Sequence, residues 1–306
     1  MAPTALGYLK SIDRTPVLVV THSRAALEPG PFAREDEEPP HPVKEWAAQE
    51  GVDVLVSDTG TEPSVAERVA AAKPDLILVA NYGSPLPPAL IEHAGRGALQ
   101  VHSGSLPKYR GPRPLLRSLS EGDNKVNMTA FLPDDEPWGG GIVDAEEVEL
   151  HEDDTYAVAF SKAETVMLDL LAEALKKMDK AKAPKTRKQT TKGPIRIPKL
   201  TDRHRRAPWH LESSAVYNRL RAHSPPGLFT SCRLKSFDII NGRVLKLVEA
   251  PYGESGTYLG IRAGCLAVLC GQQSAFGIEE VERDGETLSA SEAAESLGIS
   301  VGDLFV

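Results

Sequence analysis

From Pro16 to about Met178 short apolar runs alternate with amphipathic stretches, and this alternation limits the possible folds more than any other feature of the chain. A strand covered on both faces has no polar side to show, so it reads as an unbroken apolar run. The helices that cover it each carry one apolar stripe. Residues 17–20, 52–56, 76–79, 98–101, 126–132 and 142–148 have the first character. Residues 43–49, 63–72, 87–93 and 112–120 have helical spacing, several opening on a proline, where a missing N–H costs little. Residues 155–178 form a longer helical pattern in which Val158, Met167, Leu168, Leu171 and Leu175 share one side. Leu6, Leu9 and Ile12 also fit one helical face, so the chain is expected to begin inside a βα unit. The fold class expected is α/β, a doubly wound, mostly parallel sheet.

A chain of 306 residues exceeds one hydrophobic core, which predicts two domains. The first is expected over residues 1–178. Residues 179–208 change character, because Lys180, Lys182, Lys185, Arg187, Lys188, Lys192, Arg196 and Lys199 crowd a proline-punctuated stretch that reads as a basic linker. In a chain of net charge −8, such a run is either a solvated tether or a contact for a polyanion. Over residues 209–306, a helix is expected at 212–222 and strands at 228–234, 244–250, 258–261, 265–269 and 276–281, punctuated by glycines such as Gly242 and Gly264. That pattern predicts a small closed or half-closed β-barrel, OB-like in kind. No apolar run is long enough to span a bilayer. Cys232, Cys265 and Cys270 match neither a zinc nor a disulfide spacing, and the histidines other than His102 have no metal-ligand spacing, so no metal is expected.

The most informative stretch follows the apolar run 98–101. His102 stands where that strand ends, Lys108, Tyr109 and Arg110 follow on a loop, and Pro112 and Pro114 open the next helix. Open α/β sheets bind ligands at the carboxyl ends of their strands. A lone histidine there is more often a structural hydrogen-bonding residue than a catalyst, and the cationic loop only shifts that balance.

VHSGSLPKYRG, from Val101 to Gly111, resembles the central motif of the formyltransferase family that uses 10-formyltetrahydrofolate. HPVKEWAAQEGVDVL at 41–55 and KPDLILVANYGSPLPPALIE at 73–92 are similar to further segments of its Rossmann-like domain. IPKLTDRHRRAPWHLESSAVYNRLRAHSPPGLFT at 197–230 resembles the entry to the second domain found in the family's methionyl-tRNA branch. The resemblance implies transfer of a formyl group from 10-formyltetrahydrofolate, as co-substrate, to the amine of initiator methionyl-tRNA. It further implies a monomer that works in mitochondria if the source is eukaryotic and in the cytoplasm if it is bacterial.

Residue roles follow from the same resemblance. His102 matches the family's catalytic histidine, and Gln100 stands where the family has asparagine, keeping the amide with one more methylene. Trp138 stands at the family's aspartate, and an indole cannot accept a proton. Asp135, beside Asp134 and Glu136, is the carboxylate expected to substitute. Asn81, Tyr82, Gly83, Leu86, Pro87 and Ser105 match the donor-binding positions. Lys108, Arg110, Arg187, Lys188, Lys192, Arg196 and Lys199 are the expected tRNA contacts. The family's first strand would precede Pro3, so one strand is expected to be missing from the sheet. The loop near residues 24–42, basic in the methionyl-tRNA branch, here carries Arg34-Glu-Asp-Glu-Glu38, which repels phosphate. Two other readings stay open: a catalytically inactive relative that binds tRNA or RNA, and a formyltransferase acting on another amine.

Overall fold

A computed structural model describes residues 2–23, 41–181, 184–190, 195–196, 201–247 and 252–306. The chain divides into two compact units, the first made of Met1–Leu115, Lys125–Glu149 and Ala159–Lys199, the second of Leu116–Asn124, Leu150–Val158 and Leu200–Val306.

The first unit begins with helix α1 (Ala2–Ser11), strand β1 (Leu18–Thr21), helix α2 (Pro42–Glu50) and strand β2 (Asp53–Val56). Helix α3 (Pro63–Ala72), β3 (Ile77–Ala80), the short α4 (Pro88–Ile91), β4 (Ala98–His102) and β5 (Tyr109–Arg110) follow. After helix α5 (Pro114–Ser120) come β6 (Lys125–Leu132), β7 (Gly141–Glu149), helix α6 (Tyr156–Lys180) and β8 (Ile195–Arg196). Proline stands in the first turn of α2, α3 and α4, as the spacing predicts.

β1 and β2 pair in parallel, and so do β3 and β4, with Ala80 opposite Val101. β4 then pairs antiparallel with β6, and β6 with β7, so the α/β sheet is mixed. Successive residues of β1 face opposite helices. Val19 packs with Leu6 of α1 and Val43 of α2, whereas Leu18 and Val20 pack with Val65 and Val69 of α3. That alternation is what makes the domain doubly wound, because a strand's side chains point to its two faces in turn. β1 and β3 share the α3 cluster through Leu18, Val20 and Ile77, yet they belong to separate sheets. All five residues of β4 are buried, which makes this strand a rigid support for whatever stands at its end.

The described part of the basic segment is not a plain tether. Ile142 and Arg187 exchange backbone hydrogen bonds, β8 pairs in parallel with β5, and Gln189 is buried. These links hold the segment in the first unit.

In the second unit, helix α7 (Ser213–His223) precedes β9 (Leu228–Cys232), β10 (Lys235–Leu245), β11 (Tyr258–Arg262), β12 (Cys265–Leu269), β13 (Ala275–Arg283), β14 (Glu286–Ser289) and helix α8 (Ala290–Leu297). The six strands form one antiparallel sheet in the order β11-β12-β13-β10-β9, with β14 on β13. Val306 exchanges backbone hydrogen bonds with Ser231 of β9, while Phe305 donates to Gly256 and Asp303 accepts from Tyr258 of β11. Residues 303–306 therefore bridge both ends of the sheet. Phe305 sits at the core, within ring contact of Trp209, Phe237 and Tyr258. Among the described residues, no helix is long and apolar enough to cross a membrane.

Candidate active site

His102 closes β4, one residue past the Ala80–Val101 pairing, so it adjoins the point where the loop of residues 81–87 leaves β3. The sequence motif and the loop thus lie at the carboxyl ends of neighbouring parallel strands, where such sheets bind ligands. His102 is only 5% exposed. Its Nε2 lies 2.8 Å from the Tyr109 carbonyl, which can only accept, so Nε2 carries the ring's proton. The Phe131 ring meets it edge-on at 6.4 Å. Burial pushes the imidazole's pKa down to about 4, only partly offset by the bond to Tyr109, so the ring is neutral at physiological pH. It can donate a hydrogen bond there but cannot act as a cationic acid. Gly104 is required beside it, because a Cβ there would lie 2.4 Å from Pro114 Cβ and 3.2 Å from His102 Nε2.

Gln100, two residues earlier on the same face of β4, is also buried. Ser105 faces inward, its hydroxyl accepting from the Asn127 backbone N–H at 2.9 Å. Asp135 is exposed on the turn before Trp138. Trp138 adopts a positive φ of 55° and packs against Leu106, Phe131 and Ile142. Trp138 is therefore an apolar anchor of this turn.

Arg110, expected to face tRNA, is turned inward instead. It is 8% exposed, and its Nε and Nη2 donate to Gln189 Oε1 at 3.0 and 2.8 Å while Nη1 meets Glu136 Oε2 at 2.8 Å. Gln189 in turn donates to the Trp138 carbonyl. The guanidinium fork suits such a two-sided clamp, and here it ties the acidic turn to the basic segment. Lys108 is exposed, with its ammonium 4.6 Å from the Tyr109 ring. Lys188 is exposed and Arg187 is held by its backbone. Arg196 contributes its backbone to β8, and Lys192 and Lys199 lie outside the described residues.

The 81–87 loop has support that the sequence pattern did not disclose. Tyr82 stacks on His22 with centroids 4.1 Å apart and donates to the Ser57 carbonyl. The Gly83 N–H donates to His22 Nε2 at 2.7 Å, and Ser84 donates to the Asp58 carbonyl. Asp58 accepts from the Ser23 backbone N–H and hydroxyl, which hold its carboxyl below the usual range. A signal was available, since His22 directly follows β1 just as His102 ends β4. Among the described residues, no group of three His, Cys, Asp or Glu side chains could hold a metal ion.

Residues 9–175 match the family described as Formyl transferase, and residues 199–298 match Formyl transferase, C-terminal domain. The chain belongs to the formyltransferase family. Methionyl-tRNA formyltransferase of Anaeromyxobacter dehalogenans is 30% identical over 245 residues, 79% of this chain and 78% of that protein. Among solved formyltransferase-like structures, WlaRD, a sugar 3N-formyl transferase, has a TM-score of 0.64 at 11% identity, over 93% of this chain and 94% of WlaRD. HypX from Aquifex aeolicus, in complex with tetrahydrofolic acid, has a TM-score of 0.56 at 19% identity over 93% of this chain, and the chain spans about half of HypX (48%). These two structures share the formyltransferase fold.

Proposed function

We propose that this protein transfers a formyl group from 10-formyltetrahydrofolate to the amino group of methionyl initiator tRNA. The observation that carries the reading is His102 of the VHSGSLPKYRG run, standing at the carboxyl end of β4 beside the 81–87 loop. The choice of acceptor rests on the 30% identity to a methionyl-tRNA formyltransferase.

Asn81, Tyr82, Gly83, Leu86 and Pro87, with Ser105, would hold the donor. Leu86 and Pro87 offer half-buried apolar surface, and the loop's backbone is braced from beneath by His22 and Asp58, which suits a flat, largely apolar ring. The donor supplies the formyl carbon. Neutral His102 supplies a hydrogen-bond donor for the oxyanion of the tetrahedral intermediate, a role that requires its bond to the Tyr109 carbonyl to open. Gln100, on the same face of β4, supplies an amide. Asp135 is the carboxylate proposed to take the amine's proton. Without such a positioned base, the rate falls by about 10² to 10⁴.

The test is formyl transfer with purified protein, 10-formyltetrahydrofolate and charged initiator tRNA. Transfer is expected, with His102→Ala lowering the rate at least about 10²-fold. Equal rates in both proteins remove His102 from the reaction. The enclosed His102 ring and the apolar anchor Trp138 favour a second reading, a silent relative that only binds tRNA. That reading predicts salt-sensitive tRNA binding with no transfer.

A further inference from the structure

His22 belongs to no part of the expected chemistry, yet it is one of the most tightly held polar side chains of the first unit, only 5% exposed. Three features of its surroundings converge on one loop. The Gly83 N–H donates to Nε2 at 2.7 Å, so Nε2 carries no proton and the neutral ring holds its proton on Nδ1. Nδ1 faces Asp58 Oδ1 at 3.6 Å, and Ser23 fixes that carboxylate through two hydrogen bonds of 2.6 and 2.8 Å. The imidazole plane lies on Tyr82 at 4.1 Å with an interplanar angle of 18°. Carboxylate, imidazole and backbone amide thus line up from the end of β2, across the end of β1, to the loop after β3.

A ring nitrogen accepting from a main-chain N–H is selective in a way that packing alone is not. It demands one tautomer, with the proton on Nδ1, the nitrogen that faces the Asp58 carboxylate. Gly83 cannot keep its place if that nitrogen is protonated, because two N–H groups would then point at each other. A Cβ at Gly83 would lie 3.4 Å from Nε2, in van der Waals contact with the ring.

We propose that His22 is a positioning residue for the formyl donor, an unprotonated latch that fixes the 81–87 loop in its donor-binding shape. The proposal rests on the donor-side role given to that loop above. His22 itself touches neither donor nor acceptor. Its effect passes through Gly83 and Tyr82, with Asp58 holding the tautomer.

The experiment compares wild-type protein with His22→Phe, which keeps a ring on Tyr82 but offers no acceptor, and His22→Gln, whose amide oxygen can still accept from Gly83. Two quantities are read: amide hydrogen exchange over residues 80–88, and tetrahydrofolate affinity by calorimetry. His22→Phe is expected to exchange faster across the loop and to bind tetrahydrofolate about tenfold more weakly, the cost of losing one hydrogen bond. His22→Gln is expected to stay within about twofold of wild type in both. Unchanged exchange and affinity in His22→Phe overturn the proposal, and so does faster exchange with unchanged affinity. In the unmodified protein, imidazole ¹⁵N shifts must report an Nδ1–H tautomer for His22. An Nε2–H ring overturns the latch even if neither variant folds. Wild-type protein that binds no tetrahydrofolate while its loop exchange responds to both variants as expected identifies the donor-side function, not the latch, as the failed premise, and the positioning role falls with it.

Discussion

Lowering the pH from about 7 to about 5 is expected to cost the first unit roughly 1.8 kcal/mol through His102 alone. The imidazole titrates at 6.5 when free and at about 4 in the fold, because burial disfavours its charged form. Between those values the unfolded chain binds the proton and the folded one does not, so stability is fully present above the free value and drains away as the pH falls. Linkage gives a loss of about 0.2 kcal/mol at pH 7, about 2 at pH 5, and a limit near 3.4 below pH 4, since each tenfold change in proton affinity is worth about 1.36 kcal/mol. The assay is urea unfolding at several pH values of wild-type protein and of His102→Gln, whose amide can still donate to the Tyr109 carbonyl but does not titrate. Subtracting the two pH dependences removes costs common to both proteins. The same ring observed by NMR should show no titration above about pH 5. Parallel pH dependences in the two proteins, or a His102 ring that titrates near its free value, would refute the reasoning.

Arg110→Met should destabilise the first unit by about 2 kcal/mol, since it strands Gln189 and frees Glu136, and should leave the salt dependence of tRNA binding unchanged. Urea unfolding and a salt titration check the two halves separately, and a shallower salt slope would return Arg110 to the phosphate contacts. Gly104→Ala forces a Cβ against the Pro114 ring and His102, and is expected to cost about 1–3 kcal/mol by thermal or urea unfolding. An alanine protein as stable as wild type would contradict the packing at that corner. Cys270, whose thiol burial pushes up to about 12, should resist an aromatic disulfide reagent at pH 8 until urea unfolds the second unit. Peptide mapping of the labelled protein reads this directly, and rapid labelling of Cys270 in the native state would count against the burial.

Much of the first unit was legible because its strands are short and continuously apolar. Residues 98–101 announced β4, and Pro63 announced the start of α3, from local chemistry alone. The second unit was harder where glycine misled. Gly242 reads as a turn, yet it lies inside β10 at a register shift, where a Cβ would strike the Phe276 ring at 2.6 Å, so the glycine serves a close crossing of strands and not a chain reversal. Helix α8 carries a capping box, Ser289 with Glu292, a local signal that the glycine-punctuated strand pattern around it obscured. At the site, the sequence located His102 but could not tell which way its ring faced. The charge of Arg110 likewise said nothing of its direction, because Gln189, which receives it, stands 79 positions away. Burial and partner are long-range properties, and only the assembled sheet supplies them.

Residues 303–306 stitch the antiparallel sheet together at both rims. Without them, β9 and β11 would each present bare main-chain donors and acceptors, the kind of template on which strands of other molecules assemble. Removing residues 303–306 should therefore show itself less as lost activity than as clumping, with light scattering rising as the altered chains find in one another the pairing they had lost.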